Sequence, residues 1–219
     1  MIGTGRPEQP ENAVANVPIP MRQATGKPRP KLVHQFLVVL SGTDPLVWRR
    51  IQVPEKYSFW DLHVAIQDAM GWLDYHLHEF RLFDAAERNV VSIGIPTDDD
   101  SEDRPVVPGW LIPLSKFFDH RNWHAPPVMY AYDFGDDWQH VLVHEGLESA
   151  EDERKYPRWV AGEGRCPPED CGGVHGYAEF LQVIADPGRA GEQLAPEAFD
   201  PAAVKFDDPK KRWKKAFGR

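Results

Sequence analysis

The sequence has very little cysteine and no long apolar run. Only two cysteines occur among 219 residues, too few for the disulfide framework of a small secreted domain. No stretch approaches the roughly 20 apolar residues that a membrane-spanning helix needs. The proline-rich N-terminal segment also lacks the apolar region of a secretory signal. These absences exclude an integral membrane protein and predict a location in the reducing cytoplasm.

Several motifs of cofactor and hydrolase chemistry are missing as well. The sequence contains no G-x-G-x-x-G, no phosphate-binding P-loop, no G-x-S-x-G elbow and no H-E-x-x-H. We therefore expect no nucleotide cofactor.

Basic charge is scarce in the body of the chain. The net charge is −9, from 25 basic and 34 acidic side chains. Residues 1–31 carry five basic and two acidic side chains, and residues 205–219 carry seven and two, which leaves −17 for residues 32–204. A body this acidic repels phosphate backbones, so only the tail 205–219 is a candidate contact to nucleic acid or to an acidic partner. Short charged runs favour the alternative, a solvated helix end or ion pairs with the acidic body.

Proline content and apolar periodicity divide the chain into three parts. Residues 1–30 contain six prolines and no periodic apolar pattern, which predicts a disordered lead. Residues 31–204 are expected to form a single domain. Residues 205–219 are expected to form a basic C-terminal extension.

The domain shows strand and helix patterns in mixed order. A helix is predicted to start after Ser58, with Asp61 in the capping-box position, and to end at Gly71. Residues 128–134 and 138–145 predict a hairpin. The remaining expectations are strands at 33–40, 47–53, 76–83 and 90–95, short helices at 114–118, 177–185 and 208–217, and a loop at 156–176. The pattern indicates an α+β fold, with a mostly antiparallel mixed sheet, a β–α–β N-terminal part and helices packed on the sheet.

Five motifs in order carry a resemblance to a known family. They are Trp48-Arg49-Arg50-Ile51-x-Val53-Pro54, Leu62-His63, Gly71-Trp72-x-x-x-His76-Leu77-His78-x-Phe80, Tyr130-x-Tyr132-Asp133-Phe134-Gly135-Asp136-Asp137-Trp138-x-His140 and Cys166-Pro167-Pro168-Glu169-Asp170-Cys171-Gly172-Gly173-x-x-Gly176-Tyr177. Over residues 33–186 the chain resembles the plasmid pRiA-type third-open-reading-frame-like family, often labelled a TnpR-family insertion-element passenger. The resemblance implies an α+β domain of unassigned activity. The chain departs from the family pattern at His144 and in its basic C-terminal region.

The TnpR label suggests a site-specific recombinase, and the residues argue against that activity. A serine recombinase needs an early nucleophilic serine with clustered arginines that hold the developing phosphate charge. The first serine here is Ser41, at the predicted end of a strand. No helix-turn-helix segment with a basic recognition helix is evident in the acidic body.

The two cysteines are the first candidate for site chemistry. Cys166 and Cys171 are separated by four residues in a loop with two prolines and two glycines, and such a loop can present two thiolates to one zinc ion. Two further ligands would be needed, and the candidates are His76, His78 and His140. The alternative is that the prolines and glycines shape a turn and the thiols are small buried groups.

The predicted hairpin bend is the second candidate. Asp133, Asp136, Asp137 and His140 are close in sequence, and carboxylates with an imidazole can bind a divalent cation or act as acid and base. A tight turn also favours this composition, because Asp and Gly accept its backbone angles. A combined site, in which His76 and His78 meet Asp137 and His140 across strands, is the most specific enzymatic hypothesis.

Arg49 and Arg50 are the third candidate. Strand alternation places them on opposite faces, and either guanidinium could bind a carboxylate or phosphate with two hydrogen bonds. The alternative is that one pairs with an internal Asp or Glu and the other is solvated.

Three hypotheses of function follow. The first is a non-enzymatic protein- or peptide-binding or adaptor module, built around the hairpin bend and the cysteine loop, with a structural metal such as zinc as an option. The second is a metal-dependent hydrolase or nuclease with ligands from His76, His78, Asp137, His140 and the cysteines. The third is a mobile-element-associated accessory DNA-binding protein that acts through residues 205–219. The first two require the hairpin bend and the cysteine loop to lie beside each other.

Overall fold

The computed structural model describes residues 30–84, 86, 88–98, 100, 105–118, 127–185 and 199–218. The strands are β1 Leu32–Leu40, β2 Val47–Pro54, β3 His78–Phe83, β4 Asn89–Gly94, β5 Val106–Pro108, β6 Val128–Tyr132, β7 Trp138–Ser149 and β8 Arg158–Glu163. The helices are α1 Phe59–Met70, α2 Gly173–Ala185 and α3 Pro209–Phe217, with short 3-10 turns at Gly109–Leu111, Leu114–Lys116 and Pro201–Ala203. The predicted disordered lead lies almost entirely outside the described residues.

The eight strands form one sheet in the order β5-β4-β3-β6-β7-β1-β2-β8. Every pair is antiparallel except β4 and β5. The strands β2 and β3 flank α1 in sequence and run parallel, but β1, β7 and β6 lie between them in the sheet. The α+β prediction, with a mostly antiparallel mixed sheet and packed helices, is confirmed.

Helix α1 has the boundaries that its capping residues dictate. The Ser58 side chain accepts a hydrogen bond from the Asp61 amide, and the Asp61 carboxylate accepts one from the Ser58 amide. Gly71 ends the helix in the left-handed conformation, with φ of 90°, which costs glycine little. The buried side chains of α1 join the sheet residues in one hydrophobic core. None of the helices formed by the described residues combines the length and the apolar character of a membrane-spanning segment.

The two faces of β2 differ as strand alternation predicts. Arg49 lies on the covered face and is fully buried, where it donates hydrogen bonds to the carbonyls of Ala69, Glu163 and Gly164. Arg50 lies on the opposite face and binds the Glu145 carboxylate at 2.7 and 2.8 Å. The prediction of an internal acidic partner is therefore confirmed for Arg50, and the prediction that the other arginine is solvated is wrong for Arg49. Arg49 stays buried because backbone carbonyls satisfy its donors.

Other boundaries differ from the sequence prediction. Residues 158–163, predicted as part of a loop, form the edge strand β8 because they hydrogen-bond to β2. Helix α2 begins at Gly173 rather than at residue 177. Strand β3 begins at His78, so His76 precedes the strand and does not share a strand face with His78. The predicted hairpin of β6 and β7 is confirmed.

The predicted C-terminal extension packs against α1. The Trp60 indole donates a hydrogen bond to the Pro209 carbonyl at 3.0 Å. Arg212 pairs with Asp68 at 2.6 Å and with Asp207 at 2.6 Å. These contacts make α3 part of the folded unit, while its lysines stay exposed.

Candidate functional site

Three segments meet at the end of the β6–β7 hairpin. They are the loop after α1 (residues 71–77), the hairpin bend (residues 133–137) and the cysteine loop (residues 165–173). Trp72 joins two of them, because its ring stacks on Tyr132 at 4.9 Å and its indole nitrogen donates to the Pro167 carbonyl at 2.9 Å. The loop after α1 is further held by a hydrogen bond from the Tyr75 amide to the Tyr132 hydroxyl at 3.1 Å.

Aspartates build the hairpin bend. Asp133 and Asp137 have φ of 54° and 55°, a left-handed conformation that aspartate tolerates better than most residues. One carboxylate oxygen of Asp133, Oδ1, accepts the amides of Gly135 and Asp136 at 3.0 and 3.3 Å. The other oxygen, Oδ2, points away from the bend toward His76, at 3.5 Å.

The bend and the cysteine loop are in direct contact. The Gly172 amide donates to the Asp136 carboxylate at 3.0 Å. A Cβ on Gly173 would lie 2.5 Å from the Asp136 carbonyl oxygen, and its φ is 67°, so a side chain there cannot fit without movement. Gly173 thus allows the close approach of the hairpin bend and the cysteine loop that the first two hypotheses require.

Four side chains converge where the three segments meet, and we name them the histidine–carboxylate cluster: His76, Asp133, Glu169 and Asp170. The His76 Nε2 atom lies 3.0 Å from Asp170, 3.5 Å from Asp133 and 4.0 Å from Glu169. The ligand atoms of His76, Asp133 and Asp170 all lie within 4.8 Å of one another. The Nε2 atom is itself buried and makes no hydrogen bond of acceptable geometry, although three carboxylates are near it. An imidazole nitrogen and carboxylate oxygens that lie this close together without hydrogen-bonding to one another can serve as the ligands of a cation.

Glu169 is fixed in the cluster by neutral donors. Its carboxylate accepts the Leu73 amide at 2.7 Å and the Tyr132 hydroxyl at 3.1 Å. Burial and the neighbouring Glu169 charge raise the pKa of Tyr132, so its hydroxyl keeps the proton that it donates. The members of the cluster differ in exposure, since Asp133 is buried and the Asp170 side chain is 70% exposed. The cluster is therefore accessible to solvent on the Asp170 side.

Two predicted histidines lie in the core and not in the cluster. The His78 ring stacks on His63 at 3.4 Å and is fully enclosed. Burial, and then the neighbouring His63, hold the pKa of His78 well below its usual value. His140 is also enclosed, with Nδ1 at 3.1 Å from the Tyr130 carbonyl oxygen, and burial lowers its pKa to about 4. Both rings are therefore neutral at pH 7.

The combined site of His76, His78, Asp137 and His140 is consequently not assembled. Asp137 is exposed and accepts a hydrogen bond from the Gln139 side chain. Of the predicted acidic residues, Asp133 belongs to the cluster and Asp136 holds the cysteine loop. The structure separates these positions because burial of alternate strand residues carries the histidines of β3 and β7 into the core.

The cysteines are free thiols beside the cluster and not members of it. Cys166 and Cys171 are each partly buried and form no disulfide. Burial raises the pKa of both thiols, to about 11 for Cys171. Both thiols are therefore protonated at neutral pH in the absence of a metal ion, and neither belongs to the group of ligand atoms formed by His76, Asp133 and Asp170.

Sequence reasoning missed two cluster members and a buried polar chain. Glu169 and Asp170 lie in the cysteine loop, between the two prolines and Cys171. That position is the one feature of the sequence that points to them as members of a site. The buried chain runs from the Tyr130 hydroxyl to His63 Nδ1 at 2.8 Å, and from His63 Nε2 to Asp74 at 2.8 Å. Tyr130 and His63 are fully buried and the Asp74 side chain is 9% exposed, so this chain of hydrogen bonds is part of the core.

Large exposed apolar side chains are concentrated around the cluster. Eight occur among the described residues, and four of them come from the loop after α1 and the hairpin bend. Their exposed fractions are 59% for Leu73, 69% for Tyr75, 39% for Leu77 and 53% for Phe134. We name these four residues the apolar rim.

Comparisons with known proteins identify one family and two similar proteins. The sequence model of a family described as plasmid pRiA4b ORF-3-like protein matches residues 32–208. The uncharacterized protein y4hQ of Sinorhizobium fredii (strain NBRC 101917 / NGR234) is 36% identical over 179 residues, covering 80% of this chain and 87% of that protein. The crystal structure of MM3350, a protein of unknown function from Methanosarcina mazei Go1, matches with a TM-score of 0.69 and 36% identity, covering 82% of this chain and 100% of that chain. These descriptions assign no activity, and they do not support the TnpR or insertion-element label.

Proposed function

The chain belongs to the plasmid pRiA4b ORF-3-like protein family, and on that premise we propose that it is a non-enzymatic binding module of the cytoplasm. A divalent cation in the histidine–carboxylate cluster organises its docking face, and the apolar rim contacts a protein or peptide partner. The observation that carries the proposal is the convergence of one imidazole and two carboxylates, from His76, Asp133 and Asp170, whose ligand atoms lie within 4.8 Å of one another. A third carboxylate, that of Glu169, lies 4.0 Å from the imidazole, and exposed apolar side chains surround the group.

The electrostatics of the cluster support a cation. Asp133, Glu169 and Asp170 bring three carboxylates within 4.0 Å of one imidazole nitrogen, and like charges so close together repel each other. A divalent cation removes that repulsion and ties together three segments that are far apart in sequence. One imidazole with carboxylates suits a first-row divalent ion such as Zn²⁺ or Mn²⁺ better than Ca²⁺.

The apolar rim supports a macromolecular partner. Leu73, Tyr75 and Leu77 alternate with cluster and core residues along one loop, and Phe134 follows the cluster residue Asp133 directly. Exposed apolar side chains gathered beside polar groups are typical of protein interaction sites. The cation holds the loop and the bend in the geometry that presents the rim.

The metal test compares two aspartates with the same backbone conformation. Asp170 and Asp137 have φ of 55° each, and both are exposed, but only Asp170 is in the cluster. We expect untagged protein to contain about one equivalent of metal by mass spectrometry, or to bind one equivalent of Zn²⁺ or Mn²⁺ after chelation. Asp170→Asn and His76→Ala should abolish this binding, and Asp137→Asn should retain it. Absence of binding in the unsubstituted protein, or equal loss in Asp137→Asn, would contradict the metal site.

The partner test uses peptides selected from a displayed library on the metal-loaded protein. Their affinity should fall at least tenfold on chelation and in the double variant Phe134→Ser, Tyr75→Ser. The matched control is Val90→Ser, since Val90 is 59% exposed and lies on β4 outside the rim. Peptides that bind the Phe134→Ser, Tyr75→Ser variant as well as the unsubstituted protein would refute the docking face.

A metal-dependent hydrolase is the second candidate, and the exposure of Asp170 favours it. A cation held by three protein ligands on an accessible side keeps a position for water, as catalytic zinc sites do. This candidate predicts metal-dependent hydrolysis of activated carboxylic or phosphate esters that disappears in His76→Ala. Metal-loaded protein without such hydrolysis, but with metal-dependent peptide binding, would leave the binding module as the function.

A further inference from the structure

A second cleft lies away from the histidine–carboxylate cluster, between the start of α1, the 3-10 turn Gly109–Leu111 and α3. Its volume is about 510 Å³, within the range of small-molecule sites. Six of its lining residues define what we name the tryptophan–lysine cleft: Trp60, Trp110, Trp213, Lys56, Lys210 and Lys214. We propose that this cleft binds a small anionic ligand with a flat apolar body, such as an aromatic carboxylate.

The aromatic walls are held in place by contacts with neighbouring residues of α3. The Trp60 ring is fixed by the hydrogen bond from its indole nitrogen to the Pro209 carbonyl. Trp110 and Trp213 both pack on Phe217, with ring centroids 5.1 and 5.3 Å apart from it. The cleft therefore exists before a ligand arrives, which reduces the entropy cost of binding. Flat apolar groups gain most from tryptophan walls, because they stack on them.

The charge of the cleft selects the sign of the ligand. Lys56, Lys210 and Lys214 are exposed and line the cleft. The acidic residue in the lining, Asp61, is already used in the capping box of α1, where the positive helix end offsets its charge. A cluster of three cations on a chain of net charge −9 attracts anions to one place.

The lysines of α3 provide a matched control. Lys210 and Lys214 line the tryptophan–lysine cleft, whereas Lys211 and Lys215 line a different depression beside Trp72 and Leu73. Charge reversal of either pair changes the net charge by the same amount in the same helix. Only the first pair should matter for the ligand.

The experiment is calorimetric and NMR titration of the full chain with 2-naphthoate, and with 2-naphthylmethylammonium as the cation with the same ring. We expect 2-naphthoate to bind and to shift the indole signals of Trp60, Trp110 and Trp213, while the cation binds at least tenfold more weakly. Lys210→Glu with Lys214→Glu should weaken naphthoate binding about tenfold, from roughly two lost surface charge interactions. Lys211→Glu with Lys215→Glu should change it less than threefold.

Three results would overturn the proposal. They are no binding of 2-naphthoate at its solubility limit, equal binding of the cation, and equal weakening by the two charge-reversed pairs. Thermal unfolding of each variant checks that it is folded. Trp110→Phe keeps an aromatic wall and is a milder second variant, which should weaken naphthoate binding without unfolding the chain. Because the tryptophan–lysine cleft contains no residue of the histidine–carboxylate cluster, His76→Ala should leave naphthoate binding unchanged.

Discussion

Replacing Arg49 by methionine tests how the sheet, α1 and β8 are held together. The guanidinium donates to the carbonyl of Ala69 near the end of α1, and to the carbonyls of Glu163 and Gly164 at the end of β8. A fourth hydrogen bond goes to the Trp48 carbonyl. Its central carbon also lies 3.6 Å from the centroid of the Phe199 ring. One fully buried side chain thus joins four separate parts of the chain.

The expected loss follows from two opposing effects. Each hydrogen bond from a charged donor is worth about 1.5–3 kcal/mol, and a cation over an enclosed ring adds about 1–2 kcal/mol. Against this gain stands the cost of taking the guanidinium out of water, which is several kcal/mol. Methionine removes that cost but leaves buried carbonyl groups without donors. We therefore expect Arg49→Met to lower the free energy of unfolding by about 3–5 kcal/mol.

Arg50→Met is the control, because it changes the same side chain one residue later on the opposite face. Arg50 is 31% exposed and its pair with Glu145 is screened by water, so the loss should be below about 1 kcal/mol. Urea unfolding at pH 7, followed by circular dichroism, measures both variants. In thermal unfolding the Arg49 variant should lose about 6–20 °C. Equal losses in the two variants, or less than about 1.5 kcal/mol for Arg49→Met, would refute this account of the buried arginine.

Further predictions concern stability in acid, the close contact of Gly173 with the hairpin bend, and the ion pair between α3 and α1. Because burial lowers the pKa of His140 to about 4, the unfolded chain binds a proton below about pH 6.5 that the folded chain excludes. The free energy of unfolding should therefore fall from pH 6.5 toward pH 4, with about 2 kcal/mol lost at pH 5 through this residue. In urea unfolding, His140→Gln should reduce this pH dependence, and an unchanged pH dependence would remove His140 as its cause. Gly173→Ala should lower the free energy of unfolding by about 1–3 kcal/mol, and by more than Gly172→Ala. The reason is that a Cβ at residue 173 meets a carbonyl oxygen at 2.5 Å, whereas one at residue 172 meets only a carbon at 3.8 Å. Equal losses would mean that the positive φ alone matters. Arg212→Met should lower the free energy of unfolding by about 3 kcal/mol, since it leaves the largely buried Asp68 carboxylate of α1 without its ion-pair partner. Lys211→Met, on the exposed side of the same helix, is the control and should change the free energy of unfolding by less than about 0.5 kcal/mol.

Local rules sufficed for much of the fold. The start of α1 depends on Ser58 and Asp61, three residues apart, and its end depends on Gly71. The β6–β7 hairpin likewise depends on one bend with the conformational freedom of Asp and Gly. The edge strand β8 was missed, because prolines and glycines around it indicate a loop and its hydrogen-bond partner β2 is more than a hundred residues earlier.

The candidate site was predictable in its location but not in its membership. The hairpin bend and the cysteine loop were singled out by composition, and they do touch. Which histidine joins them was not readable from spacing. His76 and His78 are two residues apart, yet β3 begins at His78 and carries its side chain into the core, whereas His76 precedes the strand and stays partly exposed.

The amino-acid sequence by itself determined the elements whose causes are local: capped helices, alternating strands, an aspartate-rich bend and the acidic character of the body. The tertiary structure alone decided which chemically capable side chains share a space. It enclosed Arg49, His78 and His140, and it brought Asp170 to His76 across almost a hundred residues. The physical reason is that burial and convergence depend on how distant segments pack, whereas periodicity and capping depend only on neighbours within a few residues.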